Sequence, residues 1–69
     1  MKINFDPEAD AMRIKFQEGE YEISKEVSDG IIIDTTKDNK IMAIEILDVS
    51  DKMSQKTLRN ITFGVSGEE

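Results

Sequence analysis

The 69-residue chain contains neither cysteine nor histidine. Without cysteine there is no disulfide, and no thiolate to ligate zinc or an iron–sulfur cluster. Without histidine the commonest transition-metal ligand and the usual general base at neutral pH are both missing. Ser24, Ser28, Ser50, Ser54 and Ser66 therefore have no imidazole to activate them. The four glycines are scattered, and no glycine-rich loop that could cradle a phosphate is present. No cofactor is implied by these residues.

Long apolar runs are lacking as well. The longest, Ile31–Ile33 and Ile41–Ile44, fall far short of the roughly 20 residues of a spanning helix, so no membrane partner is expected. The start, Met1 to Pro7, has no apolar stretch like that of a signal peptide, which favours the cytoplasm. Positive charge is scarce, with 9 basic against 15 acidic side chains and a net charge of −6. That balance opposes binding to DNA, RNA or anionic lipid. Lys52, Lys56 and Arg59 are the one basic group, and they read most simply as a solvated helix face.

A chain this short forms one domain and buries only about 60% of the surface its unfolded form exposes, so its core is thin. With no disulfide and no metal to add stability, a second subunit is the remaining source of buried area.

Hydrophobic periodicity predicts strands through most of the length. Ile3 and Phe5 alternate with Lys2 and Asn4, and a turn follows at Asp6-Pro7-Glu8-Ala9-Asp10. Met12, Ile14 and Phe16 then oppose Arg13, Lys15 and Gln17, the pattern of a strand with one packed and one wet face. After Glu18-Gly19-Glu20, where Gly19 is free to take a positive φ, Tyr21 to Val27 alternates again. Lys25 interrupts its apolar side and marks an edge strand. Ser28-Asp29-Gly30 breaks the run, with Gly30 suited to a tight reversal. The isoleucine triplet at 31–33 favours β structure, because branching at Cβ restricts χ1 in a helix. Asp38 or Asn39 is the left-handed residue expected in the turn Thr36–Lys40. In the last strand Met42, Ile44 and Ile46 lie on one face and Ile41, Ala43, Glu45 and Leu47 on the other. One of these largely apolar faces can be covered by a helix, while the other needs a second cover.

From Asp48 the period changes. Asp48 or Ser50 can cap an amphipathic helix over residues 51–60, with Val49, Met53, Thr57 and Ile61 spaced by four and Leu58 widening the stripe. Residues 1–62 read as a single domain. Residues 63–69 read as a frayed tail, although Phe63 and Val65 could also form a brief strand.

Three segments carry a family resemblance: Asp6-Pro7-Glu8-Ala9-Asp10-Ala11, Glu26 to Asp34, and Ala43-Ile44-Glu45-Ile46-Leu47-Asp48. In this order and at this spacing the chain resembles the family known as domain of unknown function 2283, over about residues 2–52. Phe5 stands where the family often has tyrosine, Met12-Arg13 where it has Leu-Tyr, Ala43 where glycine is common, and Asn39 at the usual turn glycine. The resemblance implies a small sheet domain and no particular activity.

Five acids could carry chemistry: Asp6, Asp10, Asp34, Glu45 and Asp48. Asp6, Asp10, Asp34 and Glu45 are the candidates for a hard-cation site, since calcium or magnesium takes several converging oxygens. The turn 6–10 nonetheless lacks the glycine and the distal glutamate of a calcium loop. The plainer reading has Asp6 and Asp10 tying down the turn, Asp34 ending a strand and Asp48 capping the helix. Glu45 interrupts an apolar face, so it requires a partner, either Arg13 or Lys15 on a neighbouring strand or a basic residue of another chain.

The sequence thus predicts an α+β domain, a small antiparallel sheet of about five short strands with one C-terminal helix. It is expected to associate as a homodimer through apolar strand faces and to act as a non-enzymatic interaction or accessory module, with a further protein partner unidentified. The alternative is a small enzyme or binding protein with an acidic, divalent-cation-dependent site.

Overall fold

The computed structural model describes residues 1–61; the tail at 63–69 lies outside them. Five strands form in sequence: β1 Lys2–Asp6, β2 Ala11–Lys15, β3 Tyr21–Ser28, β4 Ile31–Thr36 and β5 Ile41–Leu47. They make one antiparallel sheet in the order β1-β2-β5-β4-β3, which puts β5 at the centre and β3 at an edge. β5 has a strand on each side and carries apolar residues on both faces, of which the helices cover one. β3 is exposed along its whole length and carries two register shifts, at Glu22 and Val27. Together with Lys25, these bulges protect the edge against unwanted pairing.

The turns follow the local chemistry, with one exception. The Asp6 carboxylate accepts from the backbone N–H groups of Glu8 and Ala9, at 3.1 and 3.3 Å. Asn39 takes the left-handed conformation at φ 67°, and Gly30 reverses the chain at φ 73°. Gly19 has no positive φ. Glycine is needed there for space, since a Cβ would stand 2.6 Å from Cγ2 of the buried Thr36.

One helix was expected over 51–60, and two short ones form instead: α1 Val49–Lys52 and α2 Gln55–Arg59. Met53 between them is extended, at φ −138° and ψ 144°. Ser54 opens α2 by accepting a hydrogen bond from the Thr57 N–H at 3.1 Å, an N-cap. The break has a packing reason. In one continuous helix the spacing from Val49 would turn Thr57 inward; re-phasing at Met53 turns Leu58 inward instead. Val49 and Leu58 join Met12 in the core, with Ile3, Phe5, Ile14, Ile46, Met53 and Ile61 packed around them.

Asp48 is also not the expected cap. It sits at the start of α1 in the left-handed region, φ 52°, and its side chain makes no capping bond. Asp10 does that work from 40 residues away: its carboxylate accepts from the Ser50 N–H at 3.1 Å and the Ser50 hydroxyl at 2.7 Å. Its backbone oxygen accepts from the Val49 N–H at 3.0 Å. Asp10 therefore ties the β1–β2 turn to the helices rather than to itself.

Candidate interaction surface

Register decides which side chains share a face. Phe5, Met12, Ile46 and Ile31 line up across the sheet, as do Ile3, Ile14, Ile44 and Ile33. The helices pack on this face, over its β1–β2–β5 side. The opposite face carries two other rows: Lys2, Lys15, Ala43, Asp34 and Ser24, then Asn4, Arg13, Glu45, Ile32 and Glu26. Ala11 and Leu47 extend it at one end. Among the described residues no helix or strand covers this second face.

Its centre is a chain of polar contacts. The Ser24 hydroxyl donates to Asp34 Oδ1 at 2.6 Å, and the Arg13 guanidinium bridges to Asp34 Oδ2 at 2.9 Å. With its one proton committed to Asp34, Ser24 accepts from the Tyr21 hydroxyl at 2.8 Å. The Ser24 hydrogen bond, with help from Arg13, holds the Asp34 carboxyl below the usual carboxylate range in spite of its burial. An acid so stabilised in its ionised form is a poor general base, and a serine that donates to it is not activated as a nucleophile. The arrangement positions Arg13 over Ala43, which is buried to 1% exposure.

The candidate acids do not come together. Asp6 serves its own turn, Asp10 caps α1, Asp34 holds Arg13 and Ser24, and Glu45 stands alone. Among the described residues no three acidic side chains are placed to hold a metal ion. Glu45 is the informative one. Arg13 lies directly opposite it in register, yet the guanidinium reaches diagonally to Asp34. Glu45 is half-buried as a residue, and its carboxylate has no hydrogen bond or ion pair among the described residues.

Charge on this face is divided. Lys2, Lys15 and Arg13 lie on β1 and β2; Glu45, Asp34 and Glu26 lie on β5, β4 and β3. Sequence reasoning named most of these residues singly. The division between halves was hidden, because it depends on strand order. No helix among the described residues is long and apolar enough to cross a membrane.

Comparison with known proteins adds little about activity. No solved structure matches the chain. A protein of Methanosarcina mazei named "Putative hypoxanthine phosphoribosyltransferase" is 39% identical over 64 residues, which are 90% of this chain and 51% of that protein. The chain thus spans about half the length of the curated relative it matches. Residues 2–50, the segment holding all five strands, match the model of the family described as "Protein of unknown function (DUF2283)", and the chain belongs to that family.

Proposed function

We propose that this protein is a non-enzymatic interaction module that associates with a second copy of itself through the face of the sheet opposite the helices. The observation that carries this reading is Glu45, a half-buried residue whose carboxylate has no partner among the described residues, on a face that no described helix or strand covers and that also bears Ile32 and Leu47. Partly desolvating a charge is unfavourable unless a cation or donor answers it, and a neighbouring subunit supplies one. The thin core supports the same reading. Among the described residues only Met12, Ala43, Val49 and Leu58 are buried apolar side chains, while Phe16, Tyr21, Ile23, Val27 and Ile41 remain exposed.

The transferase named in the relative is a property of a protein about twice as long. This chain has no glycine-rich phosphate loop to bring that activity with it, and its most organised polar group, Tyr21–Ser24–Asp34–Arg13, is arranged to hold charge rather than to move protons.

Sedimentation equilibrium at micromolar concentration tests the proposal. The expected mass is twice the 7.8 kDa of the chain. A single species at 7.8 kDa would overturn it.

A further inference from the structure

We infer that the two copies are related by a two-fold axis running along β5, so that the basic half of each open face lies on the acidic half of the other. This rests on the self-association proposed above and specifies its geometry.

The argument is one of symmetry and charge. A two-fold interface brings the same patch of both subunits together, so the patch must complement itself. The open face has basic residues on one side of β5 and acidic residues on β5 and on its other side, and β5 is the central strand. An axis along the strands exchanges the two sides: the β1–β2 half of one copy covers the β4–β3 half of its partner. Lys15 of one copy then faces the partner's Asp34, since both lie in the row through Ala43. Lys2 faces the partner's Ser24, and Arg13 faces the partner's Ile32 with the partner's Glu45 one strand over in the same row. An axis across the strands would instead stack β2 on β2 and place Arg13 and Lys15 against themselves, which like-charge repulsion disfavours.

Other features fit the first arrangement. Face-to-face sheets pack with their strands within about 30° of parallel, as an axis along β5 requires. Leu47, on the axis at one end of β5, is apolar and meets its own copy there. Arg13 is 42% exposed at its side chain although Asp34 already binds it, so its remaining donors are available to a second carboxylate. Glu45 lies on the axis against the partner's Glu45, and the partner's Arg13, one strand over in the same row, is the cation that answers this pair of carboxylates.

A charge exchange tests this orientation. One variant reverses the basic half (Lys2→Glu with Lys15→Glu), and the other reverses the acidic half (Glu26→Lys with Glu45→Lys). Each alone presents two halves of one sign, so its self-association should weaken by about a hundredfold or more. Mixed in equal amounts, the two complement each other in both halves, and a heterodimer should form at close to the wild-type dissociation constant. The acidic-half variant has a lower net charge magnitude than the wild type, so its loss of self-association cannot come from overall repulsion. Glu26 accepts from the Gly30 N–H; if Glu26→Lys unfolds the chain, Glu26→Gln, which keeps an acceptor for that bond, with Glu45→Lys serves as the partner variant, its acidic half neutralised. Two outcomes would overturn the inference: dimers that persist in both variants, or cooperatively folded variants that remain monomeric when mixed. In the first case self-association survives on another surface, such as the one bearing Phe16 and Ile23; a monomeric wild type removes both proposals.

Discussion

Met12→Ala is expected to destabilise the domain by about 3 kcal/mol, within the range of 2–5 for emptying a fully buried position. Among the described residues Met12 and Val49 are the two largest side chains fully removed from solvent, and Met12 joins the sheet to both helices through Val49 and Leu58. A large core closes partly around a lost side chain. This one cannot, because among the described residues the cluster holds three buried side chains and the cavity would open beneath α1 and α2. For a domain of this length each kcal/mol corresponds to roughly 4–8 °C, so the melting temperature should fall by about 12–24 °C. Thermal denaturation followed by circular dichroism checks this, with the exposed Val27→Ala as control, where a change below about 0.5 kcal/mol is expected. A Met12→Ala protein that melts within about 3 °C of the wild type would show that the helices are not held through this contact.

The second large effect is at Asp10, where two costs coincide. The residue holds φ at 55°, tolerable for Asp or Asn but strained for Ala, and its carboxylate is the cap of α1. Asp10→Ala loses both and should cost about 2 kcal/mol, with cap loss and left-handed strain contributing about 1 each. Asp10→Gly relieves the backbone but removes the cap, so about 1 kcal/mol is expected. Asp10→Asn keeps an acceptor for Ser50 and should cost least. Urea midpoints ranked in this order support the long-range cap. Equal effects in all three variants, or an Ala variant as stable as the wild type, would contradict it.

The strands were legible in the sequence for a simple reason. Alternation at Met12 and Ile14, the Ile31–Ile33 triplet and the turn residues Asp6, Gly30 and Asn39 are local signals, and the structure obeys them. The order β1-β2-β5-β4-β3 was less accessible, because it places β5 between β2 and β4 across a chain separation that no local pattern records. The helix break was missed because the four-residue spacing from Val49 to Ile61 is regular in the sequence. Its contradicting signal was Ser54, a good N-cap in the middle of the proposed helix.

The acids divide in the same way. Asp6 bonds two and three residues away and could be read locally. The partner of Asp10 is 40 residues distant and that of Asp34 lies two strands over, on β2. Arg13 is opposite Glu45 yet bonds Asp34, because the Ser24 hydroxyl already occupies one Asp34 oxygen and leaves the other directed toward the guanidinium. No pattern of residue types predicts that choice. It is nevertheless the choice that leaves Glu45 without a partner among the described residues.

The absence of cysteine makes the central claim directly testable, since a single introduced thiol is the only one in the chain. Leu47 lies on the open face and on the central strand, whereas Lys56 is exposed on α2. Sheets packed face to face stand about 10 Å apart, within the span of a short bis-maleimide. Treated with that reagent at micromolar concentration, Leu47→Cys is predicted to give a covalent dimer in high yield, and Lys56→Cys to remain largely monomeric. Efficient cross-linking of Lys56→Cys without cross-linking of Leu47→Cys would contradict the account, because the second copy would then lie against the helices and not on the open face of the sheet.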